Sequence, residues 1–235
     1  MQGPRGETQT NAHACHIALI ANEEHESMYV PNHFKEDDQE TLQQYIRDYS
    51  FGLLVIADDE GIEANHVPFH LSGAADGALG HLQCHLARNN PVWQRMRNGA
   101  RVLVIFQGPD AYISPSWYPT KQQTGRAVPT WNYLAVHAQG SARIVEDQTW
   151  LRHHLHQLTD QHESQMAAPW SLDDAPADFT EGMMRAIVGV EIQIETLTGK
   201  LKASQNQPER NRAGVKAGLE SGEGGQNPAM ARLID

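Results

Sequence analysis

Long apolar runs are missing from this sequence. None approaches the roughly 20 residues that a membrane-spanning helix requires, which excludes a helical membrane anchor. Cysteine is nearly absent: Cys15 and Cys84 lie in segments of different character. No disulfide framework and no Cys-x-x-Cys metal pair follows, which fits a reducing compartment. The N-terminus has no basic start leading into an apolar stretch, so it does not read as a secretory signal, and the expected location is the cytoplasm. Positive charge is also in deficit, with 18 Lys and Arg against 29 Asp and Glu, a net −11. The first 27 residues hold only Arg5 against Glu7, Glu23, Glu24 and Glu26, so most of the excess sits on the body. An acidic body has no general attraction to nucleic acid, whose affinity rests on Lys and Arg neutralising phosphates. No helix-turn-helix pattern appears either, so direct specific DNA binding is not expected without a partner. The motifs of covalent hydrolysis, Rossmann cofactors and P-loop nucleotides are absent as well.

What is present is unevenly placed. Aromatics are only 7% of the chain, yet the stretch AYISPSWYPTKQQTGRAVPTWNY, residues 111–133, holds Tyr112, Trp117, Tyr118, Trp131 and Tyr133. It also holds Pro115, Pro119 and Pro129, and the cations Lys121 and Arg126. Rigid flat surface beside positive charge suits either a packed interface or a platform for a flat anionic ligand.

Around this stretch the pattern is that of a β-rich domain over 28–220, with residues 1–27 an N-terminal extension and 221–235 a C-terminal tail. Met28 is a candidate start. Leu42, Tyr45, Ile46 and Tyr49 recur at helical spacing behind a capping Asp37 or Asp38. FGLLVIADDEGIEANHVPFHL reads as a hairpin turning at Asp58 to Gly61, and GHLQCHL as the strand after it. Pro91 opens a short helix that Gly99 ends. RVLVIFQ and NYLAVHAQGSARIVED are further strands, Gly140 being a bulge or a close backbone approach. A helix over 147–162 turns Trp150, Leu151, Leu155 and Leu158 inward. Val188, Val190, Ile192 and Ile194 alternate with polar residues along a half-buried antiparallel strand. One helix near 209–220 precedes a Gly-rich loop without a core-forming pattern. About seven strands in hairpin order, with short helices between, predict a mainly β, antiparallel barrel.

Thirteen histidines invite a metal reading. His66 with His70, and His81 with His85, lie four apart on strands, about 13 Å along the chain, too far to share one ion. No metal is expected. Cys84 sits mid-strand among apolar neighbours, as an inert thiol does. Two segments are rich in donors: Arg88 with Asn89 at a helix entrance, where a phosphate is well received, and GKLKASQN, with Lys200, Lys202, Ser204, Gln205 and Asn206.

MYVPNHF, GHLQCHLARNNPVW, VIFQGPDAYISPSWYPTKQQTGRAVPTWNYLAVHAQG and LTGKLKASQNQPERNRAGVKAGL together resemble the PaiB family of FMN-binding negative transcriptional regulators, from Met28 to about Leu219. The resemblance implies an FMN-binding split β-barrel similar to pyridoxamine phosphate oxidases, with FMN as cofactor and a homodimer whose interface holds two flavin sites. It implies that Tyr112, Ser114 and Trp117, with Trp131 and Asn132, wall the isoalloxazine, while Lys121, Lys202, Ser204 and Gln205 join in holding the ligand. Arg88 takes the place of the phosphate-holding cation, with Asn89 beside it, and His66 and Pro68 fall on a strand that lines the flavin. The paired basic residues that the oxidases carry on that strand are absent. A flavin-dependent oxidoreductase acting on a small molecule is the alternative. A haem-binding module on the same barrel, with His66 or His81 as axial ligand, is a third reading.

Overall fold

The computed structural model describes residues 28–74, 77–221 and 227–234. The expected N-terminal extension and part of the Gly-rich loop lie outside these residues. Among them the chain forms eight strands: β1 (Lys35–Glu36), β2 (Phe51–Asp58), β3 (Gly61–Pro68), β4 (His70–Ser72), β5 (His81–Ala87), β6 (Arg101–Ile113), β7 (Thr130–Val145) and β8 (Ile187–Lys202). The helices are α1 (Gln39–Asp48), α2 (Val92–Arg95), α3 (Pro119–Thr124), α4 (Gln148–Glu163), α5 (Ala177–Arg185), α6 (Glu209–Ser221) and α7 (Pro228–Ala231).

All strand pairs are antiparallel, in the order β3-β2-β6-β7-β8-β5-β4, with β1 beside β8. β3 and β4 stand at opposite edges, yet only Phe69 separates them in sequence. Successive Cα atoms are about 3.8 Å apart, so the sheet must curl until its two edges nearly meet. The result is the curled half-barrel with flanking helices that the hairpin pattern predicted. Phe69 is fully buried at this seam, and its N–H donates to Ser50 O at 2.8 Å.

The inner face follows from strand alternation. Leu54, Ile56, Val104, Phe106, Val136, Leu82, Cys84, Val188, Val190 and Ile192 are all buried in one cluster, and alternation sends their neighbours outward. Asp38 caps α1 by accepting from Thr41 N at 2.8 Å, and Leu42 and Ile46 close one end of the core. The β7–β8 register shifts at Gly140, where a side chain would strike Gln193 O, so the close approach is real. α4 starts where expected but is turned slightly about its axis: Leu151, His154 and Leu158 are buried, and Leu155 is only half-buried. Trp150 packs over Gly189, where a Cβ would collide with its ring.

The C-terminal segment corrects the expectation of a tail without core-forming residues. Met230, Ala231 and Ile234 are buried with Ile113, Tyr118, Val215 and Leu219 in a satellite core. Asn227 caps α7 and also donates from Nδ2 to Asp110 O at 2.5 Å, tying the segment to β6.

Candidate functional site

The aromatic stretch breaks into four parts. β6 ends at Ile113, a 3-10 turn covers Pro115–Trp117, α3 follows, and residues 125–129 lead into β7. Ser114 caps the turn by accepting from Ser116 N at 3.2 Å, and Gly125 ends α3 at φ 63°. Proline at the first position of both helical pieces supplies the preset φ. The stretch therefore folds back over the end of the sheet where β7 begins and β8 ends. There it meets the start of α6 through Thr120 and Asn211, whose side chains bond mutually at 2.9 and 3.1 Å.

Between these parts lies a cavity of about 340 Å³. Its apolar walls include Phe34, Val128 and the ring of Tyr118; its polar lining includes Arg126, Asn132, Lys202 and Ser204, and it contains no Asp or Glu. Lys202 Nζ donates to Thr130 Oγ1 at 2.5 Å and stands 5.7 Å from the Phe34 ring centroid. Burial, reinforced by the positive charge of Lys200, lowers the Lys202 pKa; Tyr133 acts the other way. Among the described residues no carboxylate forms an ion pair with Lys202 or Arg126.

Asn132 is fully buried, and its amide N–H donates to Ser204 Oγ at 2.9 Å. Its carbonyl oxygen, Oδ1, has no partner. A buried acceptor left unmade costs free energy, so something on the cavity side should satisfy it. Ser204 is also hydrogen-bonded to Tyr118, whose pKa is raised by burial despite that bond. Ser204 holds φ 64°, the only left-handed residue other than glycine among those described, a conformation that persists only where surroundings enforce it. Gln205 is the enforcer. Its Oε1 accepts from Ala203 N at 2.7 Å and its Nε2 donates to Leu201 O at 2.6 Å, clamping the turn.

Of the residues expected to hold a ligand, the structure brings Asn132, Lys202 and Ser204 to this cavity, with Gln205 behind them. Trp131 and Tyr112 meet edge to face at 6.0 Å on the outer side of β6 and β7, and are 54% and 48% exposed. Trp117 packs into the satellite core, and Lys121 reaches Ser116 Oγ at 3.4 Å. His66 stacks on Phe51 at 6.1 Å, Pro68 ends β3, and His81 starts β5 against Gln193 of β8. None of these lines the cavity.

Arg88 and Asn89 lie just beyond β5, at the end of β8 opposite Lys202. Arg88 donates from Nε to Arg185 O at 3.0 Å, from one terminal nitrogen to Glu146 at 2.6 Å and from the other to Ile187 O at 3.1 Å. Its guanidinium is thus occupied within the chain, where the sequence reading reserved it for a phosphate. Sequence reasoning gave no ligand role to Phe34, Thr120 or Asn211, which line the cavity, whereas Arg126 and Tyr118 stood in the stretch that drew attention first. Among the described residues no group of three or more His, Cys, Asp or Glu could hold a metal ion. No helix of the described residues is long and apolar enough to cross a membrane.

Residues 28–196 match the family model described as "Putative FMN-binding domain". An uncharacterised protein of Emericella nidulans is 35% identical over 228 residues, covering 83% of this chain and 91% of that protein. The protease synthase and sporulation protein PAI 2 of Bacillus subtilis is 32% identical over 208 residues, covering 88% and 97%. Two solved structures share the fold at low identity. The FAD and haem binding protein of Mycobacterium smegmatis is 15% identical with TM-score 0.54, covering 76% of this chain and 78% of that one. A flavocytochrome of Azotobacter vinelandii is 12% identical with TM-score 0.53, covering 79% and 78%. Since the family model spans most of the chain and PAI 2 matches over nearly its whole length, this chain belongs to the PaiB-type family of FMN-binding domains on the split-barrel fold.

Proposed function

We propose that the protein binds FMN at the cavity between β7, β8 and α3, as a cytoplasmic homodimer. The observation that carries this reading is the cavity's chemistry: two cations without a carboxylate among its lining residues, apolar and aromatic walls, and a buried amide oxygen awaiting a donor. That set fits a flat, partly polar ring system with an anionic tail. At about 340 Å³, the cavity lies at the small end of the roughly 300–1,000 Å³ typical of ligand sites, so it takes one end of the nucleotide and leaves the rest at the mouth. When bound, FMN supplies redox chemistry, and the protein supplies binding, orientation and electrostatics. Exposed Phe51, Ile62, Tyr112 and Trp131 on the outer side of the sheet favour a second copy covering part of that face.

The net charge of −11 favours a regulatory role exerted through the bound flavin or a protein partner over direct contact with DNA. Titration of the purified protein with FMN and with FAD, read by quenching of flavin fluorescence and combined with light scattering, tests the proposal. A dimer that binds FMN more tightly than FAD is expected. Failure to bind either flavin, or a Soret band from co-purified haem, overturns it.

A further inference from the structure

The unpartnered oxygen of Asn132 says which end of the ligand enters the cavity. A phosphate at neutral pH offers almost only acceptor oxygens. Brought against Asn132 Oδ1, it would leave that acceptor unsatisfied and add repulsion between two oxygens. The amide nitrogen already gives one N–H to Ser204 Oγ, which is itself engaged with Tyr118, so it could offer a phosphate one further N–H at most and would leave Oδ1 unsatisfied. What Asn132 needs is an N–H or O–H donor. Lys202 in the same cavity needs the opposite, an acceptor, since among the described residues its ammonium donates to Thr130 Oγ1 alone. A donor and an acceptor side by side on a flat body describe the edge of a cyclic imide, an N–H flanked by carbonyls.

We propose that Asn132 Oδ1 accepts a hydrogen bond from the imide N–H of a flavin's pyrimidine ring, with the Lys202 ammonium against the neighbouring carbonyl. Asn132 is thereby the residue that selects for an imide-bearing ring. This rests on the reading that the protein binds FMN. It places the ring edge at the floor and the phosphate towards Arg126 at the mouth, since Arg126 is exposed while Asn132 is fully buried. The arrangement also accounts for Ser204: its left-handed backbone, clamped by Gln205, presents the hydroxyl that accepts from the Asn132 amide nitrogen.

The probe is FMN methylated at the imide nitrogen, N3, which removes the donor and leaves the phosphate untouched. Wild-type protein should bind it about tenfold or more weakly than FMN, the upper range for a lost hydrogen bond joined by a steric penalty. Asn132→Ala, checked for folding by circular dichroism, should bind FMN more weakly and no longer distinguish the two. If that variant does not fold, the wild-type comparison decides alone. Riboflavin, which lacks the phosphate, should show the same sensitivity to N3 methylation as FMN. Lys202→Met should lower the midpoint potential of bound FMN, because an ammonium at the ring edge stabilises the negative charge gained on reduction. A phosphate in the cavity would instead leave the potential unmoved while affinity fell. Equal affinity of wild-type protein for FMN and its N3-methyl derivative overturns the inference while leaving FMN binding intact. Absence of any FMN binding would refute the parent reading instead.

Discussion

Arg88→Ala separates two tasks that one arginine could perform. The side chain is 36% exposed, and two of its three contacts are to the backbone carbonyls of Arg185 and Ile187, at 3.0 and 3.1 Å. These bonds tie the end of β5 to the junction between α5 and β8. Hydrogen bonds to a charged group contribute about 1.5–3 kcal/mol each, and partial access of water favours the lower end, so losing both should cost about 2–4 kcal/mol of stability. The ion pair with Glu146 lies at the surface, where solvent screens it, and adds nothing to the sum. With a urea m-value of about 2–3 kcal/mol/M for a domain of this size, the unfolding midpoint should fall by about 1 M. FMN affinity, measured by fluorescence titration in the absence of denaturant, should change less than about twofold, a few tenths of a kcal/mol. The opposite pattern would refute the reasoning: a tenfold or greater loss of affinity, about 1.4 kcal/mol, with the urea midpoint unmoved. That outcome would mean the guanidinium leaves its internal partners to hold phosphate.

The fold was largely legible because its core strands obey simple alternation. Val188, Val190, Ile192 and Ile194 sit on one face as their spacing requires, and the β2–β3 hairpin turns at Asp58 and Gly61 as its turn residues specify. The helices were less legible. His154 is buried on the inward face of α4, although a polar residue there gives no signal to a pattern of apolar spacing. α5 buries only Thr180 and Met184 and exposes Phe179 and Met183, so its apolar residues advertise the wrong face. α7 spans only Pro228–Ala231, too short to display a helical period.

The site was legible in its residue types and not in its assembly. Lys202, Ser204 and Asn132 stood out as donors near aromatics, but their meeting depends on the register that sets Tyr133 opposite Lys202 across β7 and β8. Nothing local encodes that pairing. The internal bonds of Arg88 were illegible for the same reason, since its partners Glu146, Arg185 and Ile187 arrive from other elements far along the chain. Gln205, grouped with the ligand-holding residues by its neighbours, holds the backbone turn of Ser204 in place. A strained residue braced by its neighbours is where local sequence rules fail at a functional site.

Two further outcomes are expected. Met230→Ala removes a fully buried side chain from the satellite core and should cost about 2–5 kcal/mol, visible as a lowered thermal midpoint; an unchanged midpoint would mean that the C-terminal segment does not contribute to stability. The second outcome concerns acid. His85 Nδ1 and His154 Nε2 share a hydrogen bond at 3.2 Å beneath α4, His154 is fully buried under the stacked Trp150 ring, and its Nδ1 has no partner. Burial, then the nearby charges of His85, His70 and His153, pushes the His154 pKa from 6.5 down to about 3, and burial lowers that of His85 as well. Burial disfavours the charged form of both rings in the folded protein, whereas the unfolded chain takes up protons at the ordinary value. Their contribution is therefore complete above pH 6.5 and is lost as pH falls towards the folded values, at up to about 1.4 kcal/mol per pH unit for each ring. Urea unfolding from pH 7 to pH 4 should show this slope in the wild type, and His85→Gln combined with His154→Leu should flatten it. Parallel profiles for the two proteins would place the acid sensitivity elsewhere, among carboxylates such as Asp58 and Glu146, whose pKa values are lowered by Arg95 and Arg88.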